Sequence, residues 1–195
     1  AKALGLGDVP GLDAYIHDYR NGRDLTATPR AAMVIDLFGL TENELRGRFP
    51  AVYQHVLDNV KPERDQNNRE SYRLNWWIHG EPRKDLRPAL ADLGRYIASP
   101  ATAKHRFFTF LPNSVTPDDA LICVCADDAS ALAILSSRPH QTWAINTGAT
   151  LEDRPRYNNS LCFNPFPFPD PTDAQKARLD SLGEQLDAHR KAQQA

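Results

Sequence analysis

Reactive and membrane-active features are scarce in this sequence. Its three cysteines, Cys123, Cys125 and Cys162, form no C-x-x-C pair, so neither a disulfide framework nor a zinc knuckle is expected, and a reduced, cytoplasmic thiol state is the default. Cys123 and Cys125 fall two apart, on one face of any strand that holds them, a spacing that suits packing. No apolar run approaches the roughly 20 residues a membrane helix needs, which argues against a membrane partner. The opening residues lack the apolar core of a signal peptide, and the single methionine is the internal Met33, so the chain reads as a piece of a longer protein.

Catalytic signatures are equally sparse. The six histidines, His17, His55, His79, His105, His140 and His189, lack metal-ligand spacing. There is no G-x-S-x-G elbow and no H-E-x-x-H, and no Asp/Glu-x-Lys falls on a credible strand. Gly5-Leu6-Gly7 follows no strand and precedes no Lys-Ser/Thr, which excludes a phosphate loop. Asn164-Pro165-Phe166-Pro167 imitates the Asn-Pro-Pro-aromatic tetrapeptide of amino-methylating enzymes but departs at its third position, and no glycine-rich cofactor loop lies upstream. The chain itself is therefore expected to hold no catalytic residue, metal or cofactor.

One absence points towards a function. From Arg95 to Phe110 there is no acidic residue. This stretch reads as two short strands joined by a small-residue loop that holds Pro100 and ends on Lys104-His105-Arg106. A basic, acid-free segment on a hydrophobic hairpin suits an anionic partner, of which nucleic acid is the commonest large one. The net charge of −2 and pI near 6.3 fall short of the pI above about 9 typical of free-standing nucleic-acid binders, unless the rest of a larger protein supplies charge.

Elsewhere the pattern is mixed. Asn21-Gly22 between Leu12–Tyr19 and Leu25–Ala32 predicts a hairpin turn. Residues 32–37 read as a buried strand, and Thr41 with Glu44 forms a capping box that opens a helix. Pro50 can start a second helix whose stripe is Val52, Tyr53, Val56, Leu57 and Val60. Residues 61–73, dense in charge of both signs, predict a solvated connection. Trp76-Trp77 offers either core packing or base stacking, and a helix is predicted from Lys84 to about Leu93. After a loop over 111–119, residues 120–126 predict a central strand covered on both faces. Helices follow over 129–135 and from about His140 to Gly148. The proline-bound strap 162–171 precedes a second capping box, Thr172 with Gln175, and a helix whose face is marked by Leu179, Leu182 and Leu186. The fold class is thus α+β, a mixed and mainly antiparallel sheet with flanking helices, followed by a C-terminal amphipathic helix.

Within Leu151-Glu152-Asp153-Arg154-Pro155-Arg156, an extended backbone points Glu152, Arg154 and Arg156 the same way. Arginine bonds bidentately to guanine O6 and N7, and a carboxylate accepts from cytosine N4, so this ribbon can interrogate neighbouring base pairs. An intramolecular ion-pair ladder fits the same residues. Arg20, Arg23, Lys104, His105, Arg106, Ser136 and Arg138 are candidates for phosphate contacts. For Arg20 and Arg23, solvated turn charges are the competing reading.

Seven segments recur in a familiar order: Tyr19–Leu25, Val60–Arg64, Trp76-Trp77, Arg95–Ala98, Lys104–Phe107, Ser136-Ser137-Arg138-x-His140, and Cys162-Phe163-x-x-Phe166-Pro167-Phe168-Pro169. Together they resemble the target recognition domain of MmeI-like DNA methyltransferases, the single-chain type II restriction-modification enzymes. The resemblance implies 12–170 as the recognition domain and 171–195 as the start of a C-terminal helical region, and the Gly-rich residues 1–11 read as a loose N-terminal segment. It implies a parent enzyme that methylates adenine N6 with S-adenosylmethionine, often fused to a nuclease. The cofactor would sit in that parent's catalytic domain, outside this fragment. The partners implied are double-stranded DNA and the methyltransferase domain of the same chain, and the specificity loop maps onto Glu152, Arg154 and Arg156. Two other classes remain in play: a protein-docking module, and a small stand-alone hydrolase built around His105 or His140.

Overall fold

Side-chain caps open several of the helices in the computed structural model, which describes residues 1–151 and 154–194. In chain order the elements are β1 (Ile16–Arg20), α1 (Gly22–Thr26), β2 (Met33–Ile35), α2 (Glu42–Arg48), α3 (Pro50–Asn59), α4 (Lys61–Asp65), α5 (Glu70–Leu74) and α6 (Leu86–Ala91). There follow β3 (Arg95–Pro100), β4 (Thr109–Pro112), β5 (Val115–Pro117), β6 (Leu121–Val124), α7 (Ala129–Ser136), α8 (Arg138–Thr147), β7 (Ala149–Leu151), β8 (Arg154–Arg156) and α9 (Asp173–Gln194). The α+β expectation, with antiparallel pairing and a C-terminal helix, is borne out. No helix among the described residues is long and apolar enough to cross a membrane.

The chain forms two compact units, one of Ala1–Asp18 with Met33–Asp85, the other of Tyr19–Ala32 with Leu86–Ala195. In the first, β1 and β2 pair antiparallel with Ile16 opposite Ile35. Both halves of the Thr41 capping box form, Thr41 Oγ1 accepting from Glu44 N and Glu44 from Thr41 N, and Pro50 opens α3. Leu12, Leu37, Leu45, Phe49, Val52, Val56 and Trp76 make one core. Trp76 is buried, and Trp77 donates its indole N–H to Leu40 O at 2.9 Å, so this pair packs a core.

The expected connection over 61–73 is instead two short helices, α4 and α5. They are held by local polar contacts: Lys61 pairs with Asp65 at 2.7 Å, Arg64 and Arg69 lie over the Tyr72 ring at 5.0 and 5.2 Å, and Arg73 donates to Asn67 O. Such helices bury no continuous stripe, so they leave no apolar period to read.

The second unit is built on a sheet of order β4-β3-β6. Register places Ile97 opposite Phe110 on one side and Val124 on the other. Alternation along β3 divides two cores. Ile97 faces one with Phe108, Phe110, Leu132, Leu135 and Tyr157. Tyr96 and Ala98 face the other with Leu25, Leu111, Val115 and Leu121. The strand 121–124, expected at the centre, lies at one end of this sheet, and β3 is the middle strand. Its continuous apolar run reports two covered faces, with Ile122 and Val124 against one core and Cys123 against the other; it carries no information about lateral order.

Two further expectations are corrected in this unit. Asn21-Gly22 does not turn a hairpin. Asn21 Oδ1 accepts from the Arg23 and Asp24 amides at 3.0 and 3.2 Å while Asp24 accepts from Asn21 N at 3.0 Å, a capping box that starts α1. The acid three residues after the asparagine decides between the two local structures. A Cβ on Gly22 would lie 3.4 Å from Pro100 Cβ, so α1 sits close on β3. The loop over 111–119 contains β5, whose buried Val115 accepts from Tyr96 Oη at 3.0 Å.

Candidate nucleic-acid interface

A two-stranded ribbon in the second unit is exposed along most of its length. β7 and β8 pair antiparallel, with Ala149 opposite Arg156 and Leu151 opposite Arg154. All three residues of β7 are exposed, as are Arg154 and Arg156, whereas Pro155 between them is half-buried. The alternation read from the sequence is therefore present on β8. Glu152, the third expected reader, lies outside the described residues.

The ribbon has almost no core of its own, and three features hold it. At its start Gly148 allows a close approach: a Cβ there would come 2.6 Å from Ala144 O and 2.8 Å from Arg156 O. On its outer side β8 bonds to the segment after β3, Ala103 N to Pro155 O at 3.3 Å and Tyr157 N to Ala101 O at 2.7 Å, with a bridge between Thr102 and Arg156. Proline lacks an amide hydrogen, yet Pro155 still supplies its carbonyl to that ladder. At its end Tyr157 is buried, its hydroxyl 3.1 Å from His140 Nε2 and its ring edge-on to Phe108 at 5.6 Å.

Arg106, expected at a DNA phosphate, has both terminal amino groups committed inside the unit. Nη1 donates to Ser99 Oγ at 3.0 Å and to Pro100 O, while Nη2 donates to Ala101 O and Pro155 O, each at 3.2 Å. Its guanidinium lies 5.2 Å from the Tyr157 ring centroid. Burial lowers the pKa of Arg106 and raises that of the Tyr157 phenol. Lys104 and His105, its neighbours, are exposed. Lys104, Arg106, Ala144, Ile145, Pro155, Arg156 and Tyr157 line one small cleft beside the ribbon, so the fold brings three of the expected cations together.

The other expected contacts lie on different elements. Arg20 is half-buried and donates to Tyr19 O, and Arg23 is exposed on α1. Nearby, Tyr19 donates to Asp118, and burial together with that carboxylate pushes its phenol up to about 12. The Arg30 guanidinium on buried Asp24, two contacts of 2.8 Å, holds that carboxyl well below the usual carboxylate range. Ser136 ends α7, where its hydroxyl accepts from Arg190, and Arg138 is exposed at the start of α8, next to the N-cap Ser137.

His140, the hydrolase candidate, is fully buried. It bonds Leu135 O at 2.8 Å and sits edge-on to Phe166 at 4.7 Å; burial depresses its pKa. Phe166 also meets Trp143 and Phe168. Phe166, the aromatic of the Asn164–Pro167 tetrapeptide, thus anchors the strap against buried His140. No cluster of three or more metal-ligating side chains occurs among the described residues.

The sequence did not indicate the polar face by which α9 docks. Its buried residues are Gly183 and Asp187, and Asp187 accepts from Thr109 Oγ1 at 3.0 Å and Phe110 N at 2.9 Å. Glu184 pairs with Arg95, whose guanidinium lies 3.7 Å from the Phe110 ring centroid, and Arg190 donates to Phe108 O. Leu182, expected inward, is half exposed. The available signal was Gly183 in mid-helix with Asp187 one turn later: glycine in a helix interior is costly unless another backbone approaches closely. Ala129 O would lie 2.0 Å from a Cβ at this position.

Comparison with curated proteins gives no match. Among solved structures, the chain is similar to the Type IIL restriction-modification enzyme MmeI in complex with DNA, with a TM-score of 0.70 and 20% identity. The match covers 96% of this chain and 25% of that one, so the chain spans about a quarter of the length of the structure it resembles. A family model described as the MmeI target recognition domain matches residues 95–170, the stretch that runs from β3 through the ribbon to the aromatic strap. The resemblance read from the ordered motifs is thereby borne out: residues 95–170 carry the pattern of the MmeI target recognition domain, on a chain that has the fold of the corresponding part of that enzyme.

Proposed function

We propose that this chain is the DNA target recognition module of a restriction-modification enzyme, non-catalytic by itself. Its partners are double-stranded DNA and a methyltransferase domain of the same parent chain, and that parent methylates adenine N6 with S-adenosylmethionine held outside these residues. One observation carries the reading: within the segment that matches a target recognition domain, Arg154 and Arg156 stand exposed two residues apart on a ribbon fixed to a buried sheet.

Two-stranded ribbons fit the major groove, where an arginine fork distinguishes guanine by its O6 and N7 acceptors. In this reading Arg154 and Arg156, with Glu152, address base edges. Lys104, His105, Arg23 and Arg138, all exposed, supply phosphate contacts in the same reading. These fix register and give binding its salt dependence.

The test begins by selecting the bases that the wild-type chain prefers from a pool of randomised duplexes. Arg154→Ala is then competed against base-substituted duplexes. Loss of a bidentate base contact is expected to cost about 1–3 kcal/mol and to relax discrimination at one position. An unchanged preference would remove Arg154 from the readers.

A further inference from the structure

We infer that Arg106 is a positioning residue: it fixes the register of the β8 reader strand against the end of β3 and itself touches neither base nor phosphate. The inference rests on the DNA-reading role proposed for the ribbon and concerns what holds the readers in place.

Its acceptors identify the task. Ser99 Oγ and the Pro100 carbonyl belong to the last two residues of β3, Ala101 O to the segment that leaves it, and Pro155 O to the residue between Arg154 and Arg156. A planar fork with donors fixed in one plane can span these atoms together, whereas a lysine ammonium can satisfy only a subset from one point. The guanidinium face is taken up by Tyr157, the residue that follows β8, whose hydroxyl is in turn 3.1 Å from buried His140. The ring that flanks Arg106 is thus itself tied to the core.

The need for such a strut follows from the ribbon's composition. Its exposed strands contribute little burial to fix their register, and a strand that slips by one residue turns every side chain to the opposite face. On β8 a slip would carry Arg154 and Arg156 inward and Pro155 outward. The backbone bonds at Ala103 and Tyr157 oppose the slip, and Arg106 Nη2 adds a side-chain link between the two carbonyls that accept them, Pro155 O and Ala101 O.

Arg106→Lys keeps the charge and removes the fork, and it separates positioning from phosphate contact. The wild-type chain and the variant are titrated with the preferred duplex, with single-base substitutions and with a random duplex, over a range of salt. Positioning predicts that the ratio of preferred to substituted affinity falls about tenfold, the size of one lost base contact. Random-duplex affinity and the salt slope should stay as in the wild type. Amide hydrogen exchange at Ala103 and Tyr157 should accelerate in the variant while that of the β3–β4 ladder does not, which tests the strut without DNA.

A uniform loss on all duplexes, with a salt slope smaller by about 0.9, is the signature of a lost phosphate contact and overturns the inference. So does an intact base preference in the variant. Absence of any base preference in the wild-type chain is a different result: it overturns the DNA-reading role itself, and the positioning role with it.

Discussion

The β3–β4 hairpin and the β7–β8 ribbon are antiparallel pairs in the same compact unit, built on opposite terms with water. Five of the six residues of β3 and three of the four of β4 are buried, whereas every described residue of the ribbon except Pro155 is exposed. The hairpin has a core on each face. The ribbon depends on what grips it: Gly148 at its root, the backbone bonds to Ala101 and Ala103, and Arg106. A surface meant to meet another molecule cannot be stabilised by burying that surface, so its rigidity must come from attachments. The unit thus separates a buried platform from an exposed ribbon held by its attachments.

The hairpin should account for the largest energetic effect. Phe110 is 1% exposed, and its ring lies beneath Arg95. Phe110→Ala is expected to lower unfolding stability by about 3–5 kcal/mol, read by urea denaturation. A loss below about 1 kcal/mol would mean that the hairpin is not the platform, and the contrast with the ribbon would collapse.

Gly148→Ala comes next, because it attacks the ribbon's attachment and not its strands. The new methyl would meet Ala144 O, Arg156 O and Cys162 Sγ at 2.6, 2.8 and 3.1 Å. Two of those atoms are backbone and cannot swing away, so about 1–3 kcal/mol is expected to be lost. An unaffected melting curve would show that the α8–β7 joint yields, and that the ribbon is less firmly rooted than its contacts imply.

A pH titration sharpens the same contrast from the platform side, where α1 packs on β3 through Gly22 and Pro100. The Arg30 side chain depresses the Asp24 carboxyl. A group with a lowered folded pKa contributes stability above its unfolded value, about 3.9 for aspartate, and loses that contribution as pH falls towards the folded value. The stability difference between the wild type and Asp24→Asn should therefore be largest near neutrality and shrink below about pH 4. A constant difference from neutral to strongly acid pH would show that Asp24 acts through its shape alone.

Much of the platform was legible in the sequence, and much of what grips the ribbon was not. The Arg95–Phe110 hairpin, both Thr-led capping boxes and the helices over 129–147 follow from periodicity and capping, which are local. Asn-Gly at 21–22 fits both a turn and a helix start, and Asp24 decides between them only when its carboxylate turns back on the Asn21 amide. The alternation of Arg154 and Arg156 was visible because a strand's period is two. A sequence shows the charge of Arg106 but not its acceptors. Two of these are carbonyls and one a hydroxyl within seven residues of it, and the fourth acceptor, Pro155 O, lies 49 residues on. The docking of α9 through Asp187 was hidden for a related reason: a helix was assigned its face from leucines, and the partner groups were an edge amide and a threonine.

The smallest expected effect on stability is the most informative about the ribbon. Arg156 is exposed, and its contribution to the fold runs through main-chain pairing with Ala149 and Thr102, which alanine preserves. Arg156→Ala should therefore shift unfolding stability by no more than about 0.5 kcal/mol, the usual range for surface positions. If the ribbon is the reading element, the same variant should still weaken DNA binding, and its salt slope shows how. A slope smaller by about 0.9 assigns Arg156 to a phosphate, whereas an unchanged slope with relaxed preference at one base pair assigns it to a base edge. A stability loss well above about 1 kcal/mol would instead place Arg156 with Arg106 among the attachments, moving the boundary between platform and reader to one side of β8.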